Sequence, residues 1–432
     1  MRNSARQTRR VQRNKFITAI TVALLLSGWS ATAAIPKTSA QKAIEAMGSN
    51  PVLRGSVWGV LAVTASGDTL VNVNGDMRMV PASNMKLITT GAALCRLGED
   101  FRFVTKLGVR GEVRDSLLLG DLYLVGGGDP SLCDHYRRTG DSLATFSKWK
   151  KMLADAGIGG IRGKVVADAR YFNGDDLLGD WCIEDVTPGC SSGAQGLNIG
   201  DNVGVQPPAA ALHCAQEFTS WLRDGGFAVS GEPSDVPECP SDSLVTIGSI
   251  RSVRLSELVY VANHESENIY AEAMLRQMGK EMYGTAAYDT ACLALAQVIR
   301  RIAPGLNPGE VRLADGSGLS RKNYVSPAFI VGFLRAMAGR REFKTYLRSL
   351  PRPGEGTLRA RLGGPRSSLK DRVYMKSGSM TGVRCFSGYI LPSDGDSGKM
   401  IAFSILTNNV VARGPAPAAL VDEMIMRLAA EN

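Results

Sequence analysis

Val80-Pro81-Ala82-Ser83-Asn84-Met85-Lys86-Leu87-Ile88 decides how the rest of this chain is read. A serine and a lysine stand three residues apart at the head of an apolar stretch that continues through Ala92, Ala93 and Leu94. Apolar residues at this spacing form one face of a helix, and Val80-Pro81-Ala82 gives that helix an extended approach. On a helix starting at Ser83, Lys86 lies on the same face one turn later, within reach of the hydroxyl oxygen. A serine hydroxyl is a weak nucleophile at neutral pH and needs such a base. The helix start adds backbone N–H groups and a dipole suited to developing negative charge.

Serine-x-x-lysine alone is a weak signal, because Ser39/Lys42, Ser147/Lys150 and Ser367/Lys370 repeat the spacing without the apolar helix. Order and rarity supply the rest. Ser266-Glu267-Asn268 is the sole Ser-x-Asn, and Lys376-Ser377-Gly378 is the sole Lys followed by Ser or Thr and Gly, with Arg138-Thr139-Gly140 a looser decoy. The three fragments, in this order, spell a serine acyl-transfer site.

These boxes resemble those of the penicillin-binding proteins and serine beta-lactamases. The closer resemblance is to the penicillin-binding D-alanyl-D-alanine carboxypeptidase/endopeptidase family, the low-molecular-mass class C serine-lysine peptidases. It is carried also by Gly126-Gly127-Gly128-Asp129-Pro130-Ser131-Leu132, by His264 through Glu272, by Asp315-Gly316-Ser317-Gly318-Leu319-Ser320-Arg321 and by Lys376 through Tyr389, and so runs across most of the mature chain. Two positions depart from the commoner pattern. Ser377 stands where threonine is more frequent, keeping the hydroxyl, and Glu267 stands where aspartate is frequent.

The resemblance implies an α/β (α+β) fold with an antiparallel sheet flanked by helices, beta-lactamase/transpeptidase-like, and a mostly beta insertion domain. It implies peptidoglycan stem peptides as substrates, beta-lactams as inhibitors and no cofactor. Acyl transfer then assigns Ser83 as nucleophile, Lys86 as its base and Ser266 as a proton relay to the departing amine. Asn268 holds the substrate backbone and Lys86. Lys376 and Ser377 bind the free carboxylate, Gly378 lets the substrate strand lie close, and the N–H groups of Ser83 and Ser379 form the oxyanion hole. The Lys376 cation is expected to lower the pKa of Lys86. Asp129, a possible substrate contact, and Arg384 are weaker candidates.

Composition fits an exported enzyme. The first 15 residues carry Arg2, Arg6, Arg9, Arg10, Arg13 and Lys15 with no acidic residue, followed by the apolar run Phe16–Leu26 and the small-residue stretch Ala31-Thr32-Ala33. This is the pattern of a signal peptide over 1–34, and its apolar core is short against the about 20 residues of a spanning helix. Without those six cations the formal charge falls from +9 to +3, which removes the support for nucleic-acid binding. The expected location is the periplasm. A peripheral membrane contact and the oligomeric state stay open.

Roughly 400 mature residues exceed what one core usually holds. Ser83 and Ser266 are 183 residues apart, against 110 between Ser266 and Lys376, so extra material belongs between the first two boxes. The expected division is a catalytic domain of 35–96 and 255–432 with an insertion at 97–254. Val57–Val63 and Thr69–Val73 read as edge-forming strands of the catalytic sheet, and Arg372–Met375, Phe386–Ile390 and Met400–Leu406 as three more. Leu420, Val421, Met424, Ile425 and Leu428 sit at helical spacing. Short apolar runs such as Leu117-Leu118-Leu119, set among glycines and prolines, make the insertion read as mostly beta.

The chain has eight cysteines; Cys182/Cys190 and Cys214/Cys239 are the nearest pairs, with connectivity open. With no Cys-x-x-Cys and only His135, His213 and His264, a metal site is not expected. His264 lies two residues before Ser266 but lacks the context of a Ser-His triad. Two other functions are weighed. A serine beta-lactamase would need fast deacylation, and no convincing Glu-x-x-Asn element lies between Ser83 and Ser266. A noncatalytic wall-binding protein would not need all three boxes with their reactive groups intact.

Overall fold

Chain order builds the catalytic sheet from both ends of the sequence. A short helix α1 (Ser39–Met47) precedes strands β1 (Val57–Thr64) and β2 (Thr69–Val73), after which a 3-10 turn at Ala82–Asn84 opens helix α2 (Met85–Leu97). The computed structural model describes residues 37–133, 142–175, 177–185, 193–202, 210–235, 244–412 and 414–432. Of these, Ser39–Asn432 forms one compact unit. The signal-peptide reading, Cys190, Cys239 and Arg138-Thr139-Gly140 lie outside the described residues.

The segment between the first two boxes carries its own sheet. Strands β3 (Val104–Arg114) and β4 (Leu117–Val125) form a hairpin, followed by helix α3 (Ser142–Asp155), strands β5 (Gly160–Ile161) and β6 (Val165–Asp168), helix α4 (Ala210–Asp224), and strands β7 (Ala228–Val229), β8 (Ser234–Asp235) and β9 (Val245–Arg251). The strand order is β7-β5-β4-β3-β9, with β6 pairing β4 and β8. β3 is antiparallel to β4 and β9, while the β4–β5, β4–β6, β5–β7 and β6–β8 pairs are parallel. Helices α3 and α4 therefore make this region more helical than a mostly beta reading allows. The reason is legible after the fact: Phe146, Trp149 and Leu153, and Ala211, Cys214, Ala215, Phe218 and Leu222, recur at helical spacing and are buried together.

The chain enters and leaves this segment side by side. Ser252 N donates to Phe103 O (2.9 Å), Leu255 N to Phe101 O (2.8 Å) and Ser256 N to Glu99 O (3.1 Å). Helices α5 (Leu255–His264), α6 (Asn268–Tyr283), α7 (Tyr288–Ile302), α8 (Pro327–Ala338) and α9 (Phe343–Ser349) follow, then strands β10 (Val373–Met380), β11 (Val383–Ile390) and β12 (Ile401–Asn408), and helix α10 (Ala416–Ala429).

The catalytic sheet runs β10-β11-β12-β1-β2 and is antiparallel throughout. β2 is an edge, as expected, but β1 is interior, because the last strand β12 pairs along its whole length from Val57↔Asn408 to Thr64↔Ile401. β10 runs past Met375 to Met380, so the third box lies on the other edge strand. One face of the sheet buries α1 and α10 side chains such as Ile44, Leu420, Met424 and Leu428. The larger core gathers α2 with Leu258, Tyr270, Leu295, Ile330 and Phe333. α2 is buried on every side from Met85 to Leu94, the signature of a central helix.

Candidate active site

The nucleophile candidate is fixed by its backbone. Val80 N donates to Asn408 Oδ1 (2.8 Å) and Asn408 Nδ2 returns a bond to Val80 O (3.0 Å), tying the approach to the end of β12. Ala82 then takes a left-handed φ of 46°, sparsely populated for a residue with a Cβ. Gly318, at φ +90°, lies so close that a Cβ there would fall 1.9 Å from Ala82 O. On the other side, the Asn84 side-chain amide lies against the third box and β11, within 2.9 Å of Lys376 O, 3.2 Å of Phe386 N and 2.8 Å of Ser387 Oγ. The head of α2 and the edge strand thus hold one another.

Lys86 is wholly buried. Its Nζ lies 3.1 Å from Ser83 Oγ, 2.6 Å from Asn268 Oδ1 and 2.9 Å from Ser317 O. An ammonium donates to all three oxygens. A neutral amine has two N–H bonds for the amide and carbonyl oxygens, which can only accept, and this leaves its lone pair for the Ser83 hydroxyl. Burial lowers the Lys86 pKa from 10.5 to about 8, while Glu272, Asp315 and Glu267 pull it up. The largest cause is loss of solvent. Burial first and Lys86 second hold Lys376 well below the ordinary lysine range.

The second box follows α5. Asn263 Nδ2 donates to Thr90 Oγ1 (3.0 Å) and Ser349 Oγ (2.8 Å), fixing the end of α5 against α2. The chain then turns at Ser266, whose φ is 70°, and α6 begins at Asn268. Lys376 Nζ donates to Ser266 Oγ (2.9 Å) and to Ser377 O (2.7 Å). The bond to Ser266 joins the second box to the third, as the Lys86–Asn268 bond joins it to the first.

Gly378 has a reason the sequence did not supply. A Cβ there would stand 2.9 Å from Pro81 O and 3.1 Å from Ser83 N, so the glycine admits the nucleophile's own backbone to the edge strand. Ser379 follows it on β10. Ser377 Oγ donates to Thr357 Oγ1 (2.8 Å). Thr357 is 20 residues away in sequence and had no signal there.

The remaining candidates are engaged in contacts of their own. Asp129 Oδ1 accepts from Ser131 N (2.9 Å) and Ser131 Oγ (2.7 Å), closing its own loop. Arg384 Nη1 donates to Met380 O (2.8 Å) and Val383 O (2.7 Å) across the β10–β11 turn. His264 stacks on Tyr260 and places Nδ1 2.8 Å from Glu265 Oε1. Among the described residues, Cys182, Glu184 and Asp185 bring potential metal ligands within 4.8 Å of one another. Arg321 reaches both Cys182 Sγ (3.2 Å) and Glu184 Oε1 (3.7 Å), supplying that cluster with a cation.

A buried lysine against a serine hydroxyl, joined through an amide and a second serine to another buried lysine, is the arrangement of a serine-lysine acyl-transfer peptidase. The comparisons agree. The model of the D-Ala-D-Ala carboxypeptidase 3 (S13) family matches residues 40–210 and 203–431, and the chain belongs to that family. It is 29% identical over 481 residues to the D-alanyl-D-alanine carboxypeptidase of Actinomadura sp. (strain R39), a match covering 91% of this chain and 85% of that protein. It is 24% identical over 421 residues to the D-alanyl-D-alanine carboxypeptidase DacB of Haemophilus influenzae, covering 81% and 85%. The crystal structure of penicillin binding protein 4 (dacB) from Haemophilus influenzae has the same fold, with a TM-score of 0.76 at 22% identity over 88% of this chain and 98% of that one. The same protein complexed with a beta-lactam matches with a TM-score of 0.68.

Proposed function

We propose that the enzyme cleaves D-Ala-D-Ala ends or D-amino-acid crosslinks of peptidoglycan stem peptides through an acyl-enzyme on Ser83, and that beta-lactams acylate the same hydroxyl. The observation that carries this is Lys86 Nζ at 3.1 Å from Ser83 Oγ, with its other two contacts committed to oxygen acceptors. Ser83 gives its proton to the neutral Lys86 as its oxygen bonds to the carbonyl carbon. The oxyanion is held by the N–H groups of Ser83 and Ser379, such a donor being worth about 3 to 4 kcal/mol. Lys86 then returns the proton through the Ser266 hydroxyl to the departing amine. Water cleaves the acyl-serine in the second half-reaction. A substrate carboxylate at Lys376 and Ser377 favours the charged form of Lys376 against the burial that lowers its pKa. Asp129 is left as a loop residue, since its carboxylate is engaged with Ser131.

The neighbouring termini of the 97–254 segment support reading it as a domain inserted into the catalytic fold. Export to the periplasm is supported by the basic and apolar pattern of the first 34 residues; no helix among the described residues is long and apolar enough to cross a membrane.

Labelled benzylpenicillin should give a stable covalent adduct that Ser83→Ala abolishes, and rapid drug turnover would favour the beta-lactamase reading instead. Release of D-alanine from a pentapeptide, against cleavage of crosslinked dimers, separates the two peptidase activities. The neutral amine is the active form and grows as pH rises, so acylation should climb through pH about 8, the Lys86 value. A plateau already reached at pH 6 would contradict Lys86 as the base.

A further inference from the structure

Lys86 is backed by a loop and two carboxylates that the acyl-transfer scheme does not use. Glu272 lies one turn beyond Asn268 on α6 and hence on the same face. Its Oε1 accepts from Ser317 N (2.7 Å) and its Oε2 from Gly316 N (3.1 Å). Ser317 then passes its carbonyl to Lys86 Nζ at 2.9 Å. Thr89, one turn beyond Lys86 on α2, donates to Gly316 O at 2.8 Å. The loop is thus clamped between the helix of the base and the helix of its amide partner.

Asp315 differs from Glu272 in how it is held. Its oxygens accept from Ser320 N (2.6 Å), Asn323 Nδ2 (2.7 Å), Gly318 N (2.8 Å) and Trp181 Nε1 (2.9 Å). Four donors favour its carboxylate form, burial outweighs them and raises its pKa above the usual carboxylate range, and the Glu272 carboxyl shares its buried surroundings. Burial and then Asp315 raise the Glu272 carboxyl, while the hydrogen bonds from Gly316 and Ser317 favour its charged form. The charged groups acting on Lys86 are Glu272, Asp315 and Glu267, with Lys376 the neighbouring amine. Arg276, one turn after Glu272, spends its guanidinium on the carbonyls of Ala194, Asn173 and Ala286.

Resting on the assignment of Lys86 as the base, we propose that Glu272 is its positioning residue: it holds the Ser317 carbonyl against Nζ and supplies a negative charge behind the amine that sets where the base titrates. A carboxylate that merely braced a loop would affect the rate without moving the pH at which acylation turns on.

The test is the rate of acylation by benzylpenicillin from pH 5 to 10. Glu272→Gln should move the acid limb about one pH unit lower, the scale of a nearby opposite charge, and reduce the plateau, since its amide sets an NH2 against a backbone N–H. Glu272→Asp keeps the charge and should hold the limb at its wild-type position. Thr89→Val loosens the same loop without changing charge, and should lower the plateau with the limb unmoved. A limb in Glu272→Gln that coincides with wild type overturns the proposal. If that variant does not fold, carbon-13 titration of the carboxyl groups in wild type and Lys86→Met decides. The Glu272 titration should rise once the amine is gone, because coupling is mutual, and an unchanged titration is fatal. Penicillin labelling that survives Ser83→Ala would instead remove the catalytic reading itself, a separate failure.

Discussion

The five-stranded sheet is antiparallel throughout and presents its edge strand β10 to the backbone of Ser83, whereas the seven-stranded sheet mixes parallel and antiparallel pairs. Their cores differ in kind. Around α2 the fully buried side chains include Lys86, Asn84, Asp315, Ser317 and Lys376, each an expensive residue to take out of water. Under the second sheet, the rings of Phe146, Trp149 and Phe218 pack together with centroids 5.0 to 5.7 Å apart. One region keeps costly polar groups for chemistry and the other fills space with apolar area. Substitutions should therefore separate: loss of activity with the fold kept in the first, loss of stability with the chemistry kept in the second.

The largest effect belongs to Lys86→Met. Removing the base should cut the acylation rate by up to about 10⁴-fold. The folded state should not suffer to match, because an apolar side chain of similar length replaces an amine that burial disfavours. Acylation kinetics and the melting temperature of the same preparation check both halves. A variant that unfolds in step with its loss of rate would break the contrast between the regions.

Gly378→Ala is the next step down and sharpens the contrast, because it adds one methyl group and replaces no reactive side chain. The new Cβ meets Pro81 O at 2.9 Å and Ser83 N at 3.1 Å, and backbone on both sides has to give. A displacement approaching 1 Å at the nucleophile costs about 10²-fold in rate, while overpacking of this sort costs about 1 to 3 kcal/mol in stability. Acylation kinetics should show the loss. A wild-type rate would mean that the edge strand, and not the nucleophile loop, absorbs the methyl.

What the sequence disclosed follows the same division. Ser83, Lys86, Ser266, Asn268 and Lys376 were legible because their chemistry fixes residue types, and a helix or strand fixes their spacing. The Ser317 carbonyl was not, since every residue carries one and only the fold selects which faces Nζ. Thr357 meets Ser377 solely because the 3-10 turn at Gly356–Leu358 folds onto β10. β10 was expected to end at Met375 because Lys376, Ser377 and Gly378 interrupt its apolar run, yet an edge strand lining a polar site has no need of apolar residues there. In the second sheet the helical spacing of Phe146, Trp149 and Leu153 was present but stood among glycine-rich runs that read as turns. The strand order was out of reach, because β5, β7 and β8 are two residues long and take their places from parallel pairing across long connections.

Trp149 tests the second region with the smallest expected change in chemistry. It is completely buried on α3 between Phe146 and Phe218, and its indole N–H has no hydrogen-bond partner among the described residues. Trp149→Ala should cost about 3 to 5 kcal/mol through lost transfer energy and the cavity left behind. Trp149→Phe also opens space but removes a buried donor left unpaired, a group whose burial carries a penalty of about 1 to 3 kcal/mol, so its net cost should be much smaller. Chemical denaturation of both variants measures the difference, and acylation by benzylpenicillin at a temperature where each is folded should give the wild-type rate. A slowed acylation in folded Trp149→Phe would show that packing in the second sheet reaches the nucleophile; the Asp315–Trp181 bond, at 2.9 Å, would then be the first connection to cut.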